Sequence, residues 1–413
     1  MTSVLGVLQA HPHWESVLEI VSRLEAAGYR VLLAGGCVRD ALRGVQAQDL
    51  DLATSATPDA VIALFEKTVQ VGKAFGVVRV LLGGADIEVA TFRRDGPSQD
   101  GRRPDRIEFS DEQEDARRRD FTVNALFYDF KSDSVLDYIN GIKDLNLKIL
   151  RTVGDPLCRF QEDHLRILRA LRFSIQLGFK ISGETWSAIR GNALLVGNVS
   201  GERVRDELWK AMRAAGGVGL GRLLTESGVW SVLFPELRLD ESCFQTWSLA
   251  FQTVPTDREG GFLRLFLPWV KGGQLDSVLG RIKLSRQEER ALHECFLAYA
   301  HPEQIAKMRR GKALFEYHRT SVRAALDLYE LVEGPLSWRK ELHEDWLNLS
   351  SSGHLPAAFL RGDDLLGLMK GKRVGEALDE AYCAQLEGEF TSRQGALTWL
   401  GEWLKLQRKD EGK

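Results

Sequence analysis

Strand-forming segments are confined to the first 150 residues of this 413-residue chain. Short β-rich runs alternate there with helical patterns and end in glycines or turns, and these runs are residues 30–34, 49–53, 77–82, 87–92 and 106–109. From about Pro156 onward, strand signals nearly vanish and apolar residues recur with helical spacing. The pattern therefore predicts an α+β chain, with a small mixed sheet packed against helices and then a long all-helical region.

The composition is that of an ordinary soluble protein, with 44% hydrophobic and 27% charged residues. Because the net charge is only −3, any nucleic-acid contact is expected to come from local basic clusters. Five scattered cysteines without a C-x-x-C motif favour reduced thiols over a disulfide framework or a zinc site. The N-terminus has no signal-peptide pattern and no apolar run approaches the ~20 residues of a membrane span, so we expect a cytoplasmic protein without membrane contact.

The sharpest chemical signal is the D-x-D sequence of Asp49, Leu50 and Asp51, in one of the predicted strands. Because side chains alternate along a strand, both carboxylates are expected on one face, ~6.6–7 Å apart, with Leu50 and Leu52 facing a core. Such a pair can share divalent cations such as Mg²⁺, which orient a nucleotide's phosphates and activate an attacking hydroxyl. An isolated D-x-D is more often a solvated strand face, so the assignment depends on its neighbours.

A diglycine turn, Gly35-Gly36, lies between a predicted strand and a predicted helix upstream of the acidic pair. Glycines let the backbone approach a triphosphate, and a new helix presents N–H groups to anions. Arg39 can pair with phosphate through its planar guanidinium. Beside the D-x-D sequence, this turn predicts a phosphate cradle. Glu88 is expected to complete the acidic cluster if its strand neighbours the D-x-D strand, and is otherwise a surface residue of an edge strand.

Residues 95–105 contain two glycines, two prolines and several charges, which predicts a flexible loop. A basic triplet ending in Arg119 follows this loop. Arg119 is a candidate for binding phosphate, and Asp120 for holding a ribose hydroxyl or for a structural role. A solvated basic face is the alternative, and it suits Arg117 better than Arg118 or Arg119.

A second polar cluster lies at the start of the helical region, where Asp163, Arg166, Arg169 and Arg172 recur every three residues. On one helix they would form a polar stripe beside an apolar stripe of leucines. Asp163 accepts hydrogen bonds and Arg166 donates them, so the pair can distinguish nucleobase edges without a template, while the other arginines take phosphate. The same spacing is equally typical of a salt-bridged surface helix.

Taken together, these segments resemble the class II tRNA nucleotidyltransferase and poly(A) polymerase family of the polymerase-beta superfamily. The matching motifs run in order over about residues 30–210: GGCVRD (35–40), DLDLATSATP (49–58), FGVVRV (75–80), IEVATFRRD (87–95), DGRRPDRIEF (100–109), RRDFTVNAL (118–126), DYINGIKDL (137–145), EDHLRILRALRF (162–173) and SGERVRDEL (200–208). Six or more collinear motifs make chance agreement negligible.

The resemblance implies a nucleotidyltransferase head over residues 1–150, a helical neck with a base-reading helix over 151–230, and a helical body and tail that bind tRNA over 231–413. It also implies template-independent addition of C, C and A to the tRNA 3′ end, with CTP, ATP and Mg²⁺ and without a stable protein partner. The residues it assigns are Asp49, Asp51 and Glu88 for catalysis, the first two as metal ligands; Gly35, Gly36, Arg39, Arg119, Asp163, Arg166, Arg169 and Arg172 for nucleotide binding; and Glu202, Arg203 and Glu207 for stabilising the neck.

Related activities share these motifs, so an A-adding enzyme, a CC-adding enzyme and a poly(A) polymerase are the alternatives within the family. The full-length loop at 95–105 disfavours a CC-adding enzyme, and the G-x-x-F-G-x-V pattern at 72–78 favours the CCA type over a poly(A) polymerase. Outside the family, a non-catalytic RNA-binding protein would have little reason to keep three carboxylates. An antibiotic-modifying transferase would not need the E-D-x-x-R segment or the long helical tail.

Overall fold

The computed structural model describes residues 4–70, 75–96, 101, 107–213, 218–251, 258–272, 275–350, 354–365 and 367–410. The chain divides into two compact units, Met1–Glu236 and Leu237–Lys413. The predicted α+β class, with a mixed sheet near the N-terminus and helices beyond it, is confirmed. The predicted neck, residues 151–230, lies within the first unit. No helix of the described ranges is long and apolar enough to cross a membrane.

The first unit contains a seven-stranded mixed sheet in the order β3-β4-β5-β2-β1-β8-β9. Its strands are β1 (Val31–Ala34), β2 (Leu52–Thr54), β3 (Thr68–Val69), β4 (Val77–Leu82), β5 (Ala85–Thr91), β8 (Leu126–Asp129) and β9 (Ser134–Asp137). Two further pairs are β6 (Arg93–Asp95) with β7 (Ile107–Phe109), and β10 (Ile149–Leu150) with β11 (Lys180–Ile181). The predicted loop at 95–105 falls between β6 and β7, and apart from Asp95, Gly96 and Gly101 it lies outside the described residues.

Both faces of the sheet are buried, which explains the unbroken apolar run of β1. Val31 and Leu33 pack into one core cluster, together with residues of the N-terminal helices such as Ile20. Leu32 and Ala34 pack into a second cluster on the opposite face. A strand buried on both sides has no polar alternation, so its sequence is continuous in apolar residues.

Helices pack around this sheet and follow it in the chain. In the first unit they are α1 (Val4–Gln9), α2 (Trp14–Ala26), α3 (Gly36–Leu42), α4 (Pro58–Leu64), α5 (Glu112–Arg118), α6 (Gly141–Leu147), α7 (Pro156–Glu162), α8 (Leu165–Leu177), α9 (Gly183–Gly191), α10 (Gly201–Met212), α11 (Val218–Glu226) and α12 (Val229–Leu233). Their ends carry ordinary signals: Asp111 caps α5 by accepting from two main-chain N–H groups, and α8 ends at Gly178 in the left-handed conformation.

The second unit is built from helices joined by loops in the part of it that the structure describes. Its helices are α13 (Glu241–Ala250), α14 (Arg258–Phe266), α15 (Asp276–Ile282), α16 (Arg286–Ala300), α17 (Pro302–Ala306), α18 (Arg310–His318), α19 (Thr320–Val332), α20 (Arg339–Leu349), α21 (Lys372–Leu386) and α22 (Arg393–Asp410). Large aromatic side chains such as Trp247 and Tyr317 are fully buried in it. These two side chains therefore serve in packing.

Candidate active site

The two carboxylates of the D-x-D sequence precede a strand instead of lying within it. β2 begins only at Leu52, so the predicted strand at 49–53 starts three residues too early. Leu50 and Leu52 are nevertheless buried, whereas Asp49 is exposed and Asp51 partly buried. The main-chain oxygen of Asp51 accepts a 2.9 Å hydrogen bond from the N–H of Ala34, which fixes the backbone next to β1. The expected separation of apolar and acidic faces is therefore present just before the strand.

Glu88 lies next to this segment because β5 is the parallel neighbour of β2. In the register of the two strands Leu52 is opposite Val89, so Glu88 is level with Asp51. Ile87 and Val89 are buried and Glu88 is exposed, as the alternation of β5 predicts. The strand of Glu88 is therefore the neighbour of the segment that carries Asp51, which is the condition under which Glu88 was expected to join the acidic cluster.

The three carboxylates affect one another electrostatically. Burial, Glu88 and Asp49 raise the pKa of Asp51 from 3.8 to about 7, although Arg119 opposes the shift. A carboxylate whose negative charge is disfavoured in this way gains from a bound cation. No three His, Cys, Asp or Glu side chains of the described ranges form a ready metal cage.

A cavity of about 460 Å³ opens beside Asp51 and Glu88, a size typical of small-molecule sites. Most of the predicted nucleotide-binding residues line it, and these are Gly35, Gly36, Arg39, Arg119, Asp163, Arg166 and Arg169. Of the predicted catalytic and nucleotide-binding residues, all of which the structure describes, Asp49 and Arg172 are not in the lining. The cavity therefore joins the acidic segment of the sheet to the polar segment around α8.

Gly35 has a backbone conformation that favours glycine, with φ +83°, and a side chain there would meet Arg119. A Cβ atom built at this position would lie 2.9 Å from Arg119 Nη1. The N–H of Gly35 donates to the carbonyl oxygen of Leu126 at 2.9 Å. In this structure the glycine therefore permits a close approach between the turn and an arginine of the cavity. Its own N–H is used in the hydrogen bond to β8.

Arg39 is a buried cation whose direction is fixed by its contacts. Its Nε and Nη2 donate to the two carboxylate oxygens of Asp40 at 2.9 and 2.7 Å, and its Nη1 donates to Asn124 Oδ1 at 2.5 Å. The guanidinium also lies over the ring of Phe173, 5.6 Å from its centre. These contacts hold Arg39 in the wall of the cavity.

The predicted continuous helix through Asp163 is wrong, because α7 ends at Glu162 and α8 begins at Leu165. Asp163 is extended, and its carboxylate accepts a hydrogen bond from the N–H of Leu165 at 3.1 Å. Aspartate prefers such capping positions to helix interiors. Arg166, in the first turn of α8, donates to Glu162 at 2.6 Å and to the carbonyl oxygen of Arg118 at 3.1 Å.

Arg169 forms an ion pair with Asp120 across the cavity wall. Its Nε and Nη2 donate to Asp120 Oδ2 at 2.8 and 2.5 Å. Burial alone would raise the pKa of Asp120, but Arg169, Asn124 and Arg166 lower it to about 2. Asp120 therefore stays charged and joins α8 to the segment after α5.

The neck motif on α10 contacts the same region. Arg203 donates to both carboxylate oxygens of Asp163, and Glu207 accepts a 2.5 Å hydrogen bond from Arg172. Glu202 lies in the first turn of α10. Two of the three predicted neck residues thus pair with two of the predicted nucleotide-binding residues.

Sequence reasoning did not identify Asp115 or Arg93. Arg93 lines the cavity together with Arg118. Asp115 is buried on α5 and accepts hydrogen bonds from Arg118 and Arg119. The spacing of an acid three and four residues before two arginines on a helix is the signal that would have identified Asp115.

Comparison with known proteins agrees with this geometry. Residues 31–151 match the model of the poly A polymerase head domain, and residues 178–240 match the probable RNA and SrmB-binding site of polymerase A. The CCA-adding enzyme of Lactobacillus johnsonii is 30% identical over 402 residues, which are 93% of this chain and 96% of that protein. The chain belongs to the CCA-adding enzyme family. The family predicted from the motifs is therefore confirmed.

Other members of the CCA-adding enzyme family align over different lengths. The CCA-adding enzyme of Bacillus pumilus is 45% identical over 197 residues, so the alignment spans 48% of this chain and only 49% of that relative. The crystal structure of the Bacillus stearothermophilus CCA-adding enzyme in complex with CTP has a TM-score of 0.72 and 28% identity, and the match covers 97% of this chain and all of that one.

Proposed function

We propose that this chain adds C, C and A to the 3′ end of tRNA, with CTP and ATP as substrates and Mg²⁺ as cofactor. One observation carries the proposal: Asp51 and Glu88, and also Asp163 and Arg166, line a single cavity of about 460 Å³. Carboxylates for a metal and groups for a nucleobase thus line the same cavity. The names of the relatives support the same reading, including the one that aligns over 96% of its length.

The chemistry follows from the charges around the cavity. Asp49 and Asp51 would hold Mg²⁺, with Glu88 supporting them, and the ion would neutralise the triphosphate and activate the attacking 3′-hydroxyl. Among the described residues, six arginines line the cavity and favour the binding of a triphosphate: Arg39, Arg93, Arg118, Arg119, Arg166 and Arg169. A transferred phosphate needs mainly such positioning and charge stabilisation.

The base would be read by the polar residues at the start of α8. Asp163 offers acceptors and Arg166 offers donors, which is the complement that a cytosine or an adenine edge requires. Since both residues are held by neighbours, their direction is set before the nucleotide arrives. The predicted cytoplasmic location stays a prediction from the sequence.

A primer assay tests the proposal and separates it from the alternatives. tRNA transcripts lacking the last three, two or one nucleotides are incubated with CTP and ATP, singly and together. Addition that stops at CCA supports the proposal. Extension only of the transcript that already ends in CC indicates an A-adding enzyme, extension that stops after CC a CC-adding enzyme, and a long A tail a poly(A) polymerase.

The metal ligands are tested with matched carboxylate variants. Asp49→Ala and Asp51→Ala are expected to abolish every addition, because the triphosphate and the attacking hydroxyl lose their ion. Asp86→Ala is the control, since Asp86 is an exposed acid on the neighbouring strand β5 that pairs with Arg79. Activity retained by Asp51→Ala contradicts the proposed metal site.

A further inference from the structure

Asp115 is a buried carboxylate shared by two arginines of the cavity. Its side chain is 1% exposed. Oδ1 accepts from Nε of Arg118 at 2.8 Å and lies 2.6 Å from its Nη2. Oδ2 accepts from Nε and Nη2 of Arg119 at 3.2 and 3.0 Å. Asp115 itself is not in the lining of the cavity, as defined by the described residues, whereas both arginines are. Asp115 therefore contacts the two arginines on the side that faces away from the cavity.

The charges of this group do not cancel. One carboxylate faces two guanidiniums, so the trio keeps a net positive charge next to the cavity. Burial would raise the pKa of Asp115, but Arg119 and Arg118 lower it, so the carboxylate remains ionised. The remaining positive charge lies on two residues of the cavity wall, which Asp51 also lines.

Further contacts fix the direction of both guanidiniums. Arg119 Nη1 donates to the carbonyl oxygen of Asn124 at 3.3 Å, and its guanidinium lies 4.8 Å from the ring centre of Phe127. Arg118 Nη1 lies 3.8 Å from Asp95. A guanidinium has about five N–H donors, so these contacts orient each group without using all of its donors on described residues.

Asp115 also ties its helix to the strand that carries another arginine of the cavity. Its Oδ1 accepts from the N–H of Arg93 on β6, at 3.4 Å. Three arginines of the cavity, Arg93, Arg118 and Arg119, therefore depend on one carboxylate for part of their position. A bidentate anion receptor requires its donors to be held in a fixed direction, because misplacement by ~1 Å is costly.

We propose that Asp115 is a positioning residue, which holds Arg118 and Arg119 in the direction in which they donate to the triphosphate of the incoming nucleotide. The inference rests on the proposed function for the identity of that nucleotide. Because CTP and ATP share the triphosphate, Asp115 should affect both substrates alike and leave the choice of base unchanged.

The variants Asp115→Asn and Asp115→Glu test this role, with Glu114→Gln as the matched control. Glu114 lies on the same helix and pairs with Arg117, whose side chain is 60% exposed. We expect Asp115→Asn to raise KM for CTP and for ATP by a common factor of about 10 to 100. A loss of affinity or activity of this size is typical when a residue that orients a metal ligand is removed. Binding of inorganic triphosphate, measured by calorimetry, should weaken by a similar factor. Glu114→Gln should change neither.

The outcomes separate positioning from the other roles that a buried carboxylate can have. A purely structural role would lower the melting temperature and the active fraction while KM stays unchanged. A purely electrostatic role would tighten triphosphate binding in Asp115→Asn, because a negative charge is removed. Either result overturns the proposal. If Asp115→Asn does not fold, Asp115→Glu decides, since it keeps the charge and moves the guanidiniums, and an unchanged KM then contradicts positioning.

Triphosphate binding also keeps this inference separate from the proposed function. If the wild-type protein fails to extend tRNA, the proposed function fails. A loss of triphosphate binding in Asp115→Asn would still support the positioning role, because that measurement needs neither tRNA nor turnover. If the wild-type protein extends tRNA and Asp115→Asn binds triphosphate as well as the wild type does, only the positioning role is wrong.

Discussion

Arg203 on α10 donates from Nη2 to both carboxylate oxygens of Asp163, at 3.2 and 3.1 Å. Asp163 follows α7 and accepts a further hydrogen bond from the N–H of Leu165 at the start of α8. The carboxylate proposed to read the base is therefore oriented by a residue 40 positions later in the chain. Base selection should depend on the neck helix as well as on the E-D-x-x-R segment.

Replacing Arg203 by methionine tests that dependence. Arg203→Met removes both hydrogen bonds to Asp163, so we expect the preference for CTP over ATP at the first addition to fall roughly 10-fold, within the range that hydrogen-bonded base contacts supply. The ratio of the two kcat/KM values measures it. Lys210→Met, an exposed cation on the same helix, is the control. An unchanged ratio in Arg203→Met would show that Asp163 is oriented without Arg203.

An ion pair between α8 and α10 should matter more for stability. Arg172 and Glu207 form an ion pair with side chains that are 8% and 5% exposed. Glu207→Ala leaves a buried cation without this partner, so we expect the free energy of unfolding to fall by about 3–5 kcal/mol. Urea denaturation followed by circular dichroism measures the change. Asp206→Ala removes an acid that is 48% exposed and should cost less than about 1 kcal/mol; equal losses would contradict the argument.

The sequence predicted the sides on which residues lie better than it predicted where elements begin. Leu50 and Leu52 are buried as expected, yet β2 starts only at Leu52. β1, its antiparallel partner, ends at Ala34 because the chain turns at Gly35 into α3. Residues before Asp51 therefore have no β1 residue to pair with. A strand boundary set by a partner's length cannot be read from local pattern.

Tertiary pairing also explains what local reasoning could and could not establish about the site. The helical pattern of the leucines located α8, but not the capping position of Asp163, which depends on its extended backbone. The local spacing of Asp115 from Arg118 and Arg119 predicts their pairing, but not that both arginines face a cavity, because distant segments form that cavity. Glu88 could be assigned only conditionally, because the parallel pairing of β5 with β2 is a property of the sheet order.

The loss of folding stability at acidic pH should depend on Asp120. Its pKa falls from 3.8 to about 2 because, despite burial, Arg169 and Asn124 favour the charged form. A lowered folded-state pKa contributes stability that is present above the unfolded value and is lost as pH falls from about 4 toward 2. A shift of this size corresponds to about 2 kcal/mol. Asp120→Asn should therefore be less stable at neutral pH and lose less stability over that window.

Urea midpoints measured between pH 5 and pH 2 give this comparison directly. Glu19→Gln is the control, because Glu19 and its partner Arg23 are both about half exposed and such a pair contributes little. The control should follow the wild-type curve. If the urea midpoint of Asp120→Asn falls with pH as steeply as that of the wild type, other groups account for the loss of stability in acid.

Gly101 should tolerate alanine only if His164 is also changed. Gly101 has φ +62°, and a Cβ atom there would lie 2.1 Å from both Cε1 and Nε2 of His164, a severe steric overlap with the imidazole. Its carbonyl oxygen accepts a 2.8 Å hydrogen bond from the N–H of His164, so the two residues cannot separate without breaking that bond. Gly178 is the matched control, because it has φ +67° and nothing within 4 Å of its Cβ position.

Gly178→Ala therefore measures the backbone strain alone, about 1–2 kcal/mol. Gly101→Ala should cost that amount and a further 1–3 kcal/mol, roughly, for the steric overlap. In a His164→Ala background the overlap disappears, so adding Gly101→Ala should then cost no more than Gly178→Ala does. The free energies of unfolding in urea are compared for the wild type, Gly178→Ala, Gly101→Ala, His164→Ala and the double variant. If Gly101→Ala costs as much free energy of unfolding in the His164→Ala background as in the wild type, His164 is not the group that requires glycine at position 101.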